Sequence, residues 1–452
     1  MSSGTGLPPD LVLGFVLFDI TLILVAARLL GALARRLNQP TVVGEIIAGV
    51  LLGPTLLGPV VFEWGDAWSF LHCEAALGAS QSTPSISSCL FPPQARSVIG
   101  ILGQIALILY MFQFGIELDY AKLKGKARGI VTLAVGATLV PLGLGLLIGP
   151  LLYDDKFVGG FGTPDQPSSL AFSLMVGAML AVTAFPVMAH ILQEKGLSRS
   201  QMGSVGIAAA ACLSVLMFLA VSVAAGVAAD RGTGSILLKF VLAAAFVAVL
   251  FLVVRPALAP LGRAAEAAGE LTPGLFGIVS IVVFASAFAS DRIGINVIPG
   301  AFLAGAILPA RELIFREVRA RLRDLTLVVL LPIFLAFSGL NTDFTKLGTS
   351  FVAGLLLFLF AGIVGKWAGG AVSARLGGLS WAEGKLLGVL MKCRGLLVLV
   401  VALIALNEGV ISPALQTGGV LMALVTTAMT GPLFDRFARE LPERAATETS
   451  SA

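Results

Sequence analysis

The feature that most constrains this chain is a succession of apolar runs, each about 20 residues long, that extends from residue 11 to residue 434. A run of this length is what an α-helix needs to cross the hydrocarbon core of a bilayer. Hydrophobic residues make up 57% of the 452 residues and charged residues only 12%, which excludes a soluble globular domain. The sequence therefore predicts an all-α membrane protein that crosses the bilayer many times.

About thirteen transmembrane helices are predicted from these runs. The spans are residues 11–32, 41–62, 98–118, 129–152, 169–192, 203–229, 235–261, 272–290, 295–313, 325–341, 351–374, 383–406 and 414–434. Positively charged residues concentrate in loops on one side of the predicted membrane, including 311–324, which we expect to be a solvated amphipathic helix at the inner interface. Because basic loops face the cytoplasm, we predict a multi-pass cell-membrane protein with its N-terminus outside and its tail, 435–452, inside.

The order of the spans allows two inverted halves. Spans 1–6 begin outside and spans 8–13 begin inside, so the two sets of six can be inverted repeats joined by span 7. Span 5 is interrupted near Thr183 and Pro186, because proline removes a backbone donor. Span 12, in the matching position of the second half, carries Lys392 and Arg394 in its apolar body, beside Gly395. Interrupted spans in matching positions indicate a site near the bilayer midplane; an ordinary proline kink is the alternative for span 5.

Of the ionisable residues within the predicted spans, where charge is costly and usually functional, six are singled out as candidates. They are Asp19, Glu45, Glu117, Lys366, Lys392 and Arg394. For the acids, structural explanations stay open: a hydrogen bond within the bundle for Asp19, a basic partner on the inner side for Glu45, and a position at a helix end for Glu117. Lys366 lies mid-span among glycines that allow close helix approach, and it is predicted to be either a functional charge or a tether to a helix end.

Several other classes of protein do not fit the sequence. With two histidines and no metal-ligand spacing, we predict no metal site and no cofactor, and the chain has no nucleophile–base pair or phosphate loop typical of an enzyme. The net charge of +4 is explained by basic inner loops rather than by nucleic-acid binding. Cys73 and Cys89 share one polar loop, where a disulfide or two free thiols are both compatible with the sequence.

Six stretches, taken together, resemble the cation:proton antiporter superfamily, in the branch of bacterial monovalent cation/proton antiporters and plant cation/proton exchangers. They are QPTVVGEIIAGVLLGPTLLG (39–58), FGIELD (114–119), AVTAFPVMAHIL (181–192), GAFLAGAILP (300–309), LPIFLAFSGLNTDF (331–344) and GVISPALQTGGVLMALVTTAMTGPLFD (409–435). The likeness covers nearly the whole chain, and the combination is specific although any single stretch is weak.

This resemblance implies a sodium/proton antiporter-like fold, with two crossing broken helices, and a homodimer. Spans 1–3 and 8–10 would form a dimerisation panel, and spans 4–6 and 11–13 a core that moves against it. Residues 230–262 would be the linking helix within a single transmembrane domain, 1–434.

The resemblance also implies site residues, and the chain departs from the family at the most important of them. The matching positions are Thr183 and Pro186 in the first broken helix, Lys366 as the core lysine, and Arg394 in the second broken helix. Leu213 and Ser214 stand where the family has the paired acids that bind the cation and carry the proton. Val398 replaces a glutamate found in many relatives, and Lys392 replaces a neutral residue. The predicted core is therefore electropositive, with Thr183, Ser214 and freed backbone carbonyls as its oxygen ligands.

Three functions are compatible with these residues. The one we predict is exchange of Na⁺ or K⁺ for H⁺ through a non-standard ion site, with Asp19, Glu45 or Glu117 as the relocated proton carrier. The second is an organic-anion carrier or exporter, because positive charges near a broken-helix N-terminus attract anions. The third is a homologue that does not transport.

Overall fold

The structure is a computed structural model, and it describes residues 8–37, 39–57, 86–116, 126–184, 188, 191–192, 195, 197, 200–228, 233–309, 311–344 and 349–439. Over these residues the backbone is almost entirely helical, and the pair Val158 and Ile411 forms an isolated β-bridge. The prediction of an all-α architecture is therefore confirmed for the described part of the chain.

Seventeen α-helices lie within the described residues. In chain order they are α1 (Pro9–Arg36), α2 (Thr41–Leu52), α3 (Ile86–Leu90), α4 (Pro93–Ile116), α5 (Ala127–Ile148), α6 (Ser169–Ala181), α7 (Gln201–Ala228), α8 (Thr233–Val249), α9 (Arg255–Ala268), α10 (Pro273–Ile293), α11 (Val297–Ala306), α12 (Glu312–Asp324), α13 (Leu331–Leu340), α14 (Thr349–Leu376), α15 (Trp381–Met391), α16 (Gly395–Asn407) and α17 (Pro413–Ala438). The π-helical turns Leu250–Val254 and Leu325–Leu330 join α8 to α9 and α12 to α13.

Every predicted span coincides with at least one of these helices. Eight helical segments of the described chain are long and apolar enough to cross a membrane, judged by length and composition. The helix in span 9 ends at Ala306, earlier than predicted, because Pro309 disfavours helical geometry in the residue before it. The number of crossings, the inverted repeats and the division into panel, core and linking helix stay predictions.

One compact unit comprises Met1–Tyr110 and Ala320–Leu347. Within it, glycines bring α2 against its neighbours: a Cβ on Gly44 would lie 2.3 Å from the Leu30 carbonyl oxygen, and one on Gly49 would lie 2.1 Å from that of Ala336. Small residues are how membrane helices approach this closely. The apolar core of this unit is formed by Ile23, Phe91, Ile99, Ile333, Ala336 and Leu340.

The second compact unit comprises Met111–Arg319 and Gly348–Ala452. Glycines again set the helix contacts: a Cβ on Gly145 of α5 would lie 2.1 Å from the Cα of Gly177 in α6, and one on Gly388 of α15 would lie 2.4 Å from the Trp367 carbonyl oxygen in α14. These contacts hold α5, α6, α14 and α15 together around the site described below.

Two smaller predictions, on the charged connector and on the cysteines, can be compared with the structure. The charged connector is helical as α12, with Ile314 and Val318 buried and its arginines Arg316, Arg319, Arg321 and Arg323 exposed, which confirms the amphipathic pattern. Cys89 is disulfide-bonded, Cys73 lies outside the described residues, and Cys212 and Cys393 are free.

Candidate functional site

The first interruption follows α6. The Ser168 hydroxyl caps the start of this helix by accepting a hydrogen bond from the Ala171 amide. The helix ends at Ala181, and the next three residues, including the fully buried Thr183, are not helical. The predicted break in span 5 is therefore present, while Pro186, the residue to which we attributed it, lies outside the described residues.

The second interruption separates α15 from α16. A capping box of Ser380 and Glu383 starts α15, and Lys392 is the residue at its C-terminal end. The α16 helix then starts at Gly395, whose φ of 41° is in the left-handed region that favours glycine. The predicted break at Lys392 and Arg394 is confirmed. It ends at Gly395, because a residue with a side chain would be strained at this φ.

The two interruptions are bonded to each other. The Thr183 hydroxyl donates to the Met391 carbonyl oxygen at 2.9 Å, and the Ala184 amide donates to the Cys393 carbonyl oxygen at 2.6 Å. The last carbonyls of a helix have no partner within that helix, so these bonds satisfy backbone groups that a break would otherwise leave exposed in an apolar interior.

Lys366 is fully buried in α14. Its ammonium donates to the Ala137 carbonyl oxygen of α5 at 2.7 Å and to the carbonyl oxygen of Ala181, the last residue of α6. A cation is stabilised at a helix C-terminus by the helix dipole. The sequence left open whether Lys366 is a functional charge or a tether to a helix end. Its contacts in the structure are those of a tether.

Arg394 is the second fully buried cation of this unit. Its guanidinium donates to the Met179 carbonyl oxygen in the last turn of α6 at 2.5 Å and to the Gly362 carbonyl oxygen of α14 at 2.6 Å. Gly362 leaves room for this contact, since a Cβ there would lie 3.2 Å from the guanidinium nitrogen NH2. Arg394 therefore joins the second interruption to the two helices that Lys366 also joins.

Lys392 is buried like the other two cations, with an exposed fraction of 1%, but its ammonium hydrogen bonds none of the residues that the structure describes. Beside it, the Cys393 thiol lies against the hydroxyls of Thr427 and Thr430 on α17. The sequence did not single out these threonines, although the repeated threonines of the run VTTAMTG were the available signal.

Leu213 and Ser214, the positions predicted to correspond to the family's paired acids, lie in α7. Leu213 is fully buried; Ser214 belongs to the same helix, and its side chain is outside the described set. None of the buried side chains described in this unit is a carboxylate, so the prediction of an electropositive core holds for the described residues. Among those residues, no group of His, Cys, Asp and Glu could hold a metal ion.

Two of the three candidate proton carriers belong to the first unit. Asp19 is fully buried in α1, and neither carboxylate oxygen has a hydrogen-bond partner among the described residues, so the explanation of Asp19 by a hydrogen bond within the bundle finds no support there. Arg96 interacts with it electrostatically but directs its own hydrogen bond to Ser87 Oγ at 3.2 Å. Glu45 is half-buried and interacts with Arg28 and Arg35. The third candidate, Glu117, lies outside the described residues.

This pair of joined interruptions, with buried cations at the helix ends, is typical of membrane transporters. The family model for the transmembrane sodium/hydrogen exchanger matches residues 22–439. The chain belongs to the sodium/hydrogen exchanger family.

Named relatives within this group share the greater part of the chain. The Na(+)/H(+) antiporter NhaS4 of Synechocystis sp. is 34% identical over 424 residues, which cover 92% of this chain and 96% of that protein. Cation/H(+) antiporter 19 of Arabidopsis thaliana is 31% identical over 94% of this chain and 50% of its own length. K(+)/H(+) antiporter 1 of Saccharomyces cerevisiae is 29% identical over 92% of this chain and 46% of its own length. The chain thus spans about half the length of the plant and yeast relatives.

A solved structure shows the same fold. The sodium proton antiporter MjNhaP1 of Methanocaldococcus jannaschii matches with a TM-score of 0.64 at 15% sequence identity, over 97% of this chain and 100% of that one. The predicted sodium/proton antiporter-like fold is confirmed, and so is the resemblance read from the sequence motifs.

Proposed function

We propose that this chain is a secondary active transporter that exchanges a monovalent cation, Na⁺ or K⁺, for H⁺. Membership of the sodium/hydrogen exchanger family and relatives named for Na⁺/H⁺ and K⁺/H⁺ antiport support this proposal. The organic-anion alternative gains no support from these relatives.

The observation that carries the proposal is the hydrogen-bonded pair of helix interruptions. Because the Thr183 hydroxyl and the Ala184 amide donate to the Met391 and Cys393 carbonyls, the non-helical backbone of the two interruptions lies together inside one compact unit. Non-helical backbone at membrane depth persists where it is packed against protein or lines a polar cavity, and such places bind the ions of secondary transporters. Lys366 and Arg394 would then hold the C-terminal end of α6 in the geometry that this site requires.

The proton carrier is part of the same proposal. Since α7 offers no carboxylate, Asp19, Glu45 or Glu117 would carry the proton. Asp19 is the strongest of the three, because a buried carboxylate whose oxygens lack hydrogen bonds among the described residues is available to bind a proton or a cation.

The assembly and orientation are also proposed. We place the protein in a cell membrane with the N-terminus outside and the C-terminus in the cytoplasm, as the basic inner loops indicate. The family resemblance supports a homodimer with a panel of spans 1–3 and 8–10 and a mobile core of spans 4–6 and 11–13, joined through residues 230–262.

Purified protein in liposomes that contain a pH-sensitive dye tests the function. Na⁺, K⁺ and a panel of organic anions are added in turn, with protein-free liposomes as the control. Proton flux that follows an imposed Na⁺ or K⁺ gradient supports the proposal. Absence of any cation response, together with a gain of response in the L213D/S214D double variant, would show that the scaffold is intact and that the natural cargo is not a simple cation.

A further inference from the structure

The second helix interruption collects buried hydrogen-bond donors that have no acceptor. The Lys392 ammonium, at 1% exposure, and the Nε of the fully buried Arg394 both lack a partner among the described residues. The hydroxyl of Thr427, also buried, has no nitrogen or oxygen partner in the same set, and its neighbour is the Cys393 thiol, which is a weak hydrogen-bonding group. An ammonium has three donors and a guanidinium five, and neither can accept a hydrogen bond, so two of these three groups require an acceptor from elsewhere.

These groups all lie near the Cys393 thiol. Lys392 and Arg394 flank Cys393 in the chain and both act electrostatically on its thiol. Thr427 lies against that same thiol from α17, with Thr430 beside it. The N-terminus of α16, which starts at the next residue, has no side-chain cap, so its free amides add further donors and a positive partial charge.

The charge at this point is not balanced by any described acid. Lys366 and Arg394 are each bonded to two backbone carbonyls, as shown above, whereas Lys392 has none of these contacts. None of the buried side chains described in this unit is a carboxylate. A buried charge that is neither paired nor hydrogen-bonded is strongly unfavourable, so a bound counter-charge would remove this penalty.

We infer that the interruption between α15 and α16 binds a chloride ion, held by the Lys392 ammonium and the Thr427 hydroxyl. The donors come from one short break and from a threonine of α17 that lies against the same thiol, so they suit one compact acceptor and not a bulky organic anion. This inference rests on the proposed function in one respect. The chloride ion supplies the negative charge that acids at positions 213 and 214 would otherwise bring to the core, so cation exchange depends on chloride.

Chloride binding is measured first on the purified full-length protein, without transport. Thermal stability is recorded while sodium chloride replaces sodium gluconate at constant ionic strength, for the unmodified protein, K392Q and K385Q. Lys385 is the control because it lies in the same helix and contacts the Phe437 ring instead. We expect a saturable rise in melting temperature for the unmodified protein and K385Q, and at least ten-fold weaker apparent chloride affinity for K392Q. If K392Q does not fold, T427V replaces it and should weaken the affinity as well.

Transport then separates this inference from the proposed function. Cation-driven proton flux should be several-fold faster in chloride than in gluconate, and S214D should make it independent of chloride. A protein that exchanges cations at equal rates in both salts and shows no chloride-dependent stabilisation overturns the inference and leaves the function intact. If K392Q and K385Q bind chloride with equal affinity, the proposed chloride site at Lys392 is wrong. Stabilisation that depends on Lys392 without any cation exchange supports the site and contradicts the proposed function.

Discussion

The Thr183 hydroxyl donates a hydrogen bond to the carbonyl oxygen of Met391, 208 positions later in the chain, across 2.9 Å. Both residues are fully buried, and each lies where its transmembrane span is interrupted. The bond therefore connects the two halves of the sequence at the point where both lose their helical hydrogen bonds. Since backbone carbonyls in an apolar interior need a donor, Thr183 is the side chain that makes the close approach of the two interruptions favourable.

Replacing Thr183 by valine should lower both stability and transport. Valine has nearly the same shape but no donor, so the Met391 carbonyl loses its partner, and a buried unsatisfied group costs about 1–3 kcal/mol. Chemical denaturation in detergent measures the loss, and T183S should restore most of it. T132V is the control, because the exposed Thr132 hydroxyl bonds only within its own helix, to Arg128. If T183V were as stable as T132V, the hydrogen bond between Thr183 and Met391 would not contribute to stability.

Lys366→Ala should abolish or uncouple proton flux. The variant removes the ammonium from the Ala137 and Ala181 carbonyls, which releases the last residue of α6 and leaves a cavity where the long side chain lay. We expect at least a ten-fold lower rate of cation-driven flux in liposomes. K385A is the comparison, since that lysine is not part of the buried set. Unchanged flux in K366A would argue against any core role for this residue.

Arg394→Lys should behave as a severe change although it keeps the charge. The guanidinium reaches Met179 and Gly362 with two different nitrogens, and a single ammonium cannot reproduce this planar fork. We expect reduced stability and at least ten-fold slower flux. Arg375→Lys is the matched variant, because Arg375 makes one hydrogen bond, to the Leu379 carbonyl at 3.3 Å. Comparable losses in the two variants would contradict a special role for the fork.

Gly388→Ala should destabilise the second unit by steric overlap alone. The added methyl group would lie 2.4 Å from the Trp367 carbonyl oxygen, so α14 and α15 would have to separate, and overpacking of this kind costs about 1–3 kcal/mol. Gly277→Ala is the control, because nothing lies within 4 Å of its added methyl group, and alanine favours a helix more than glycine. The free energies of unfolding of the two variants should therefore change in opposite directions.

Hydrophobic length, charge and the proline in span 5 were sufficient to predict the helical segments, both interruptions and the burial of Lys366, Lys392 and Arg394, because each depends on the local sequence. The partners of these cations were not predictable in the same way. Lys366 and Arg394 bond to backbone carbonyls, which every residue carries, so no pattern marks them. The hydrogen bond by which one explanation accounted for Asp19 is absent among the described residues for a related reason: Arg96, which interacts with Asp19 electrostatically, bonds to Ser87 instead, and only the packing reveals this.

Asp19→Asn should separate a structural carboxylate from one that carries the proton. Since neither oxygen of Asp19 hydrogen bonds a described residue, an amide of the same shape gives up no observed hydrogen bond and loses only the electrostatic interaction with Arg96, so we expect the variant to fold with a small loss of stability. If Asp19 is the relocated proton carrier, the variant nevertheless loses cation-driven proton flux at every pH tested, because asparagine cannot bind a proton in this range. Glu45→Gln is the comparison, since Glu45 interacts with the nearby Arg28 and Arg35 and should affect stability more than coupling. Flux at the unmodified rate in D19N would exclude Asp19 and leave Glu45 and Glu117 as the acids to test, whereas loss of flux in a fully folded D19N protein would assign the coupling to α1.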